Sequence, residues 1–239
     1  MQLCVHFAGK IDLPLAHRHY IQSMLYHLLA SDQDYAAALH DGGENQEGRK
    51  FKLFTFGQLQ GTYSIHNGRI LFPQGAGLEI RSISDELLWR LFRKLIIGSQ
   101  VRVGSNMLTV ADCAFRNVQI SANTVDVVTV SPVVAYITEA SGCTRFFSPE
   151  ENSFYTLIAS NARRKWQMHY GSEYDGVFSL TPVKNTSFRK QVTAYKTTRI
   201  TAWHGSFRLQ ADPQMLNLLY HTGLGAKSSQ GFGMFSIKK

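Results

Sequence analysis

Gly223-Leu224-Gly225 and Gly231-Phe232-Gly233 stand five residues apart, with Ala226-Lys227-Ser228-Ser229-Gln230 between them. The four glycines allow positive φ and close approach of another backbone. Lys227 and the two hydroxyls at the tip supply donors suited to phosphate oxygens. The spacing is not that of a G-x-x-x-x-G-K-[ST] loop, and the segment leads from a helix into a strand, so the Walker and dinucleotide-binding arrangements are both excluded. A second constellation mixes charge with rings: Arg163, Arg164 and Lys165 beside Trp166, then Lys184, Arg189, Lys190, Lys196 and Arg199 with Phe188 and Tyr195. Cations that neutralise phosphates, interleaved with aromatic surfaces on which bases stack, point to RNA.

Histidine titrates near neutrality and so suits proton transfer. Of the nine histidines, His17 and His19 form an H-x-H pair at a helix start with no third ligand, so no metal is expected. His27, His66, His169, His204 and His221 show no partner signal and read as structural or exposed. Cys4, Cys113 and Cys143 are widely spaced and form no CxxC pair. They are expected to be free thiols in a reducing, cytoplasmic setting. No cofactor is expected.

The elements that must carry these residues follow from periodicity. Leu3, Val5 and Phe7 alternate with polar neighbours, which predicts a strand. Ile21, Met24, Leu25, Leu28 and Leu29 form one helical face. Strand-like runs at Phe51–Phe56, Arg69–Phe72 and Leu78–Ile83 precede a helix capped by Ser84, with Asp85 and Glu86 at its positive end and Gly98 as its stop. Strands resume near Val101 and at Met107–Val110. The second half repeats this order: strands at Val125–Val130 and Val133–Ile137, a capping box at Ser148-Pro149-Glu150-Glu151 with Pro at the first helical position, strands at Val177–Thr181, Gln191–Ile200 and Ala202–Leu209, a helix from Asp212-Pro213 with Gly223 as left-handed cap, and a last strand at Phe232–Ile237. Two β-α-β-β-α-β units predict an α+β chain of two tandem ferredoxin-like (RRM-like) domains, 1–125 and 126–239.

Composition agrees with a folded, anion-binding chain. Apolar residues are 44% of the 239 and aromatics 12%, which excludes a disordered protein. The net charge is +8, of which +2 falls in residues 1–125 and +6 in the rest. From Arg163 to Arg208 there are nine basic residues against Glu173 and Asp175. Charge placed for solubility alone is not concentrated in this way. No signal peptide or membrane span is expected, and no membrane partner.

The G-h-G-x5-G-h-G loop, placed between the last helix and the last strand, resembles the RAMP superfamily of CRISPR-associated proteins. Within it the chain looks like the repeat-processing endoribonuclease, the sixth-numbered Cas family. Three more stretches fit: Tyr35-Ala36-Ala37-Ala38-Leu39-His40 followed by Phe51-Lys52-Leu53-Phe54-Thr55-Phe56, then Ser131-Pro132-Val133, and Asn161-Ala162-Arg163-Arg164-Lys165-Trp166. The resemblance implies antiviral defence by metal-independent cleavage of precursor crRNA. The 2′-hydroxyl attacks the adjacent phosphate and leaves 2′,3′-cyclic phosphate and 5′-hydroxyl ends. It implies His40 as general base or acid, Tyr26 as a second proton-transfer or orienting group, and Lys52 as the best-placed cation for the phosphate, with Lys50 on the same strand face as the alternative between which the sequence does not choose. It implies RNA contacts from Arg163, Arg164, Lys165, Lys184, Arg189, Lys190, Lys196 and Arg199, and from Gly223, Gly225, Lys227, Ser228, Gly231 and Gly233 of the loop. The partner the resemblance implies is repeat RNA, with room for other Cas proteins of an effector complex, and the chain is expected as monomer or homodimer. A non-catalytic RAMP subunit that only holds repeat RNA is the alternative. A generic RRM is disfavoured, because Gly231-Phe232-Gly233-Met234-Phe235 matches only part of the RNP pattern.

Overall fold

The computed structural model describes residues 1–30, 52–196 and 198–238. They divide into two compact units, Met1–Val118 and Gln119–Lys239. The division falls at 118 and not at the expected 125, because Ile120 is tied into the second unit. Asn217 Nδ2 donates to the Ile120 carbonyl at 2.7 Å, and the Ile120 N–H donates to Asn217 Oδ1 at 2.9 Å.

In the first unit, β1 (Gln2–Ala8) is the middle strand of an antiparallel sheet ordered β3 (Phe54–Phe56), β6 (Ala76–Ser82), β1, β8 (Asn106–Arg116), β7 (Gln100–Val103). Alternation along β1 turns Leu3, Val5 and Phe7 to one face, where they are at most 2% exposed. That face is covered by Ile21, Met24, Leu25 and Leu29 of α1 (Arg18–Ala30) and by Leu87, Leu88 and Leu91 of α2 (Asp85–Lys94). Each such side chain contributes about 1.5–3 kcal/mol relative to exposure.

Ser84 caps α2 as its position predicts, accepting from the Leu87 N–H at 3.3 Å. Gly98 does not end this helix. The buried Leu95 is the C-cap, donating to the Leu91 carbonyl, and Gly98 (φ +87°) lies in the connection to β7, donating to the Val110 carbonyl at 2.8 Å. A separate three-stranded sheet, β2 (Ile11–Pro14), β5 (Arg69–Phe72) and β4 (Ser64–His66), was only partly foreseeable, since β2 and β4 are too short to show a period.

The second unit has β9 (Thr124–Thr129), the hairpin β10 (Tyr136–Thr138) and β11 (Thr144–Phe146), α3 (Asn152–Tyr170), β12 (Ser179–Pro182), the hairpin β13 (Arg189–Tyr195) and β14 (Thr198–His204), β15 (Ser206–Gln210), α4 (Pro213–Thr222), a short 3₁₀ turn (Ser228–Gln230) and β16 (Phe235–Ile237). Its main sheet is antiparallel in the order β12-β15-β9-β16. In both units the opening strand therefore lies between the strand that precedes the second helix and a strand that follows it. Phe154 of α3 packs on Phe207 of β15 with centroids 6.0 Å apart.

Three local expectations change here. α3 begins at Asn152, three residues after Pro149, because Glu151 is extended (φ −104°, ψ 132°) and is itself the N-cap, while its carboxylate accepts from the Ser148 N–H at 2.8 Å and from Arg145 at 3.0 Å. Only one half of the capping box forms. The run read as one strand over 191–200 is instead two arms of a hairpin, with Lys196 at φ +53° after the first. Asp212 caps α4 through Met215 N–H at 2.8 Å, but Gly223 (φ 78°, ψ 163°) has a positive φ outside the left-handed helical region. No helix among the described residues is long and apolar enough to cross a membrane.

Candidate nucleic-acid interface

Phe154, Ile158 and Ala162 recur at four-residue steps along α3, and the same stripe reaches Lys165, which is 8% exposed. Its Nζ donates to the carbonyls of Thr222 and Gly223, at 3.0 and 2.6 Å, and to Ser228 Oγ at 2.9 Å. An ammonium has three N–H donors, and all three are engaged. The two carbonyls end α4, where the helix dipole favours a cation. Burial nevertheless pushes the ammonium down to about 7. Lys165 is thus corrected from an RNA contact to an internal tie between α3 and the glycine loop. The signal that would have shown this was the 154-158-162-165 spacing.

The loop glycines are buried as well. Their backbone neighbours bond inward, with Gly233 donating to the Pro132 carbonyl at 2.9 Å, Leu224 donating to the Gly233 carbonyl at 2.8 Å and Ala226 donating to the Val134 carbonyl at 2.9 Å. A Cβ at Gly233 (φ +76°) would overlap the Leu224 carbonyl, and one at Gly225 (φ +69°) would stand 2.5 Å from the Val134 carbonyl. Ser228 is buried between Lys165 and the Gly225 carbonyl. The glycines serve close backbone approach, and the outward part of the loop is Ala226, Lys227, Ser229 and Gln230, all half-buried. The Lys227 ammonium lies 4.7 Å over the Tyr136 ring, and burial lowers its pKa.

Arg163 and Arg164 are exposed on α3. Arg164 and Ser160 line two neighbouring clefts, one of about 200 Å³ that includes Tyr136 and Ala226, the other of about 360 Å³ that includes Arg163 and Tyr174. Lys184, Arg189, Lys190, Lys196 and Arg199 are all exposed on or beside the β13–β14 hairpin. Cross-strand register puts Lys190 and Arg199 on one hairpin face and Arg189 on the other. Arg208 is less available, since it grips Asp126 at 2.8 and 2.9 Å and holds that carboxyl below its usual range.

The rings expected to stack on bases turn inward. Phe188 stacks on Phe207 at 5.4 Å, and Tyr195 is 7% exposed beside Val134, Ile200 and Phe232. Trp166 is half-buried against Tyr170 and Tyr174, at 4.1 and 4.8 Å. Apolar ring area is worth more in the core than on a surface, so the basic residues are exposed while their aromatic neighbours are not.

In the first unit, Tyr26 is half-buried on α1, accepts from Gln22 Nε2 at 3.3 Å and meets the Phe54 ring at 6.2 Å. Lys52 precedes that phenylalanine by two residues and is half-buried. His40 and Lys50 lie outside the described residues. His204 bridges Thr129 and Gln191, at 3.2 and 2.9 Å, and His221 donates to the Asn217 carbonyl at 2.8 Å. His17 and His19 bond back to the carbonyls of Pro14 and Ala16. Cys4, Cys113 and Cys143 are free, and no metal-binding cluster occurs among the described residues.

The family described as "CRISPR associated protein Cas6, C-terminal" matches residues 115–237, just over half of the chain and nearly all of the second unit. This chain belongs to the Cas6 family. Over 232 residues it is 25% identical to the CRISPR-associated endoribonuclease Cas6 of Pyrococcus furiosus, covering 95% of this chain and 84% of that one. It is also 25% identical over 233 residues to CRISPR-associated endoribonuclease Cas6 1 of Methanocaldococcus jannaschii, covering 93% and 86%. A solved CRISPR associated protein Cas6 shares the fold at a TM-score of 0.81 and 23% identity, over 100% of this chain and 99% of that one. The Cas6 match falls on the unit that holds the glycine loop, the buried lysine and the basic hairpin.

Proposed function

We propose that this chain binds the repeat of a CRISPR precursor transcript and cuts once within it, releasing guide RNAs. The observation that carries the reading is the 25% identity to a named endoribonuclease across 95% of the chain. The exposed cations of the second unit, Arg163, Arg164, Arg189, Lys190, Lys196 and Arg199, support RNA as the ligand. The common strand order of the two sheets supports tandem ferredoxin-like modules, the first for cutting and the second for holding RNA.

In the reaction the 2′-oxygen bonds to the adjacent phosphorus as the bond to the 5′-oxygen breaks, giving 2′,3′-cyclic phosphate and 5′-hydroxyl ends without metal. His40 transfers a proton, to or from the reacting oxygens. Tyr26 transfers or orients the second, and Lys52 offsets charge growing on the phosphate. The test is incubation of labelled repeat RNA in EDTA with wild-type protein and with His40→Ala. A cyclic-phosphate product made by the first and not the second is expected. Undiminished cleavage by His40→Ala would remove the histidine from the mechanism. RNA bound and left uncut by wild type would make the chain a non-catalytic RAMP subunit of an effector complex.

A further inference from the structure

A cleft of about 460 Å³ opens in the first unit, outside the candidate constellation above, lined by Tyr20, Ser23, Met24, His27, Arg102 and Gly104. The four α1 residues are spaced i, i+3, i+4 and i+7, which stacks them along one helix face. Arg102 and Gly104 face them from β7 and from the turn into β8. Gly104 (φ +61°) lets that turn close on the helix, since a Cβ there would stand 3.4 Å from the Tyr20 ring and 3.3 Å from Leu13.

The chemistry of the lining is one-sided. Met24 is buried and Tyr20 half-buried, so the floor is apolar with an aromatic ring. Ser23, His27 and Arg102 are exposed at the rim. Among the described residues, neither His27 nor Arg102 has a hydrogen bond or ion pair, and no carboxylate lines the cleft. The nearby Asp12 is held by Arg69 at 2.8 Å. A flat apolar floor under a rim of donors selects a ligand with a planar ring and an anionic group, and the volume lies within the roughly 300–1,000 Å³ typical of small-molecule sites.

We propose that this cleft takes one nucleotide of single-stranded RNA, its base on Tyr20 and Met24 and its phosphate between Arg102 and His27. The inference rests on RNA being the ligand of this chain, and it adds a contact point in the unit that carries little net charge. It assigns a role to His27, which has no partner signal in the sequence.

The test measures anisotropy of labelled single-stranded repeat RNA across a salt series with wild type, Arg102→Ala, His27→Ala, the double variant and Arg102→Lys. Both side chains are exposed, so melting temperatures are expected to match wild type and serve as the check on folding. The double variant is expected to bind about tenfold more weakly, with a salt slope shallower by about one, while Arg102→Lys keeps the slope. RNA carrying 4-thiouridine is expected to crosslink to the peptide containing Tyr20 and His27. Equal affinities for wild type and the double variant, with crosslinks elsewhere, would overturn the cleft and leave the functional reading standing. Saturable binding of free UMP or AMP that the double variant loses, with RNA affinity unmoved, would also overturn it. Failure of wild type to bind RNA would overturn the functional reading itself.

Discussion

Lys165 Nζ and Ser228 Oγ, 63 residues apart in sequence, are held 2.9 Å apart in a buried contact that fastens the third helix to the glycine loop. The same ammonium holds both carbonyls at the end of the fourth helix. A residue that looks like part of a basic RNA-facing run is therefore the anchor of the loop beside it.

Lys165→Met keeps most of the side-chain volume and leaves three buried acceptors without a donor. A loss of about 2–4 kcal/mol in urea unfolding is expected, whereas Arg163→Ala, on the exposed side of the helix, is expected to change stability by less than about 0.5 kcal/mol.

The same lysine predicts a pH dependence. Its folded pKa, about 7, lies below the ordinary lysine value of 10.5, so between these limits the unfolded chain binds more protons than the folded one. Its contribution to stability is greatest above 10.5 and is lost as pH falls toward 7. Unfolding free energy measured at pH 7, 8 and 9 should rise in wild type relative to Lys165→Met; a constant difference would place the folded pKa elsewhere.

Gly233→Ala puts a Cβ into the Leu224 carbonyl at a positive φ. The expected cost is more than about 2 kcal/mol, with RNA affinity falling as the loop opens. Gly142→Ala shares the positive φ but meets nothing within 4 Å, and is expected to cost about 1–2 kcal/mol. Paired denaturation curves separate backbone strain from steric overlap.

Arg189→Ala with Lys190→Ala removes two exposed cations from opposite hairpin faces. The slope of log K against log salt for repeat RNA is expected to fall by up to about 2. Arg208→Ala should move it less, because that guanidinium is already paired with Asp126. An unchanged slope in the double variant would take the hairpin out of the interface.

His40→Ala is expected to slow cleavage by about 10²- to 10⁴-fold, the usual range for a lost proton-transfer group, with RNA affinity retained. Tyr26→Phe keeps the ring on Phe54 and removes only the hydroxyl. A cleavage rate equal to wild type would make Tyr26 a packing residue.

Several elements are decided by neighbours in sequence and were legible there. The α1 stripe, the Ser84 and Asp212 caps, the opening strand with Leu3, Val5 and Phe7, and the glycine motif all depend on local periodicity or on a side chain reaching three residues ahead. The hairpin break near Lys196 was not, because an unbroken β-forming composition does not mark where the chain reverses when neither Gly nor Pro stands there.

The sequence by itself determined the residue types: a glycine loop that must approach backbone closely, an excess of cations in the second half, and the repeated order of helices and strands. Tertiary structure decided which of those residues meet solvent. Lys165, Phe188 and Tyr195 lie in the same basic and aromatic stretch as Arg189 and Arg199, yet the first three are turned inward or packed on the core and the last two are exposed. Burial is set by sheet pairings and helix packing between residues far apart in the chain, such as Lys165 with Ser228 and Phe188 with Phe207, and no local pattern contains that information.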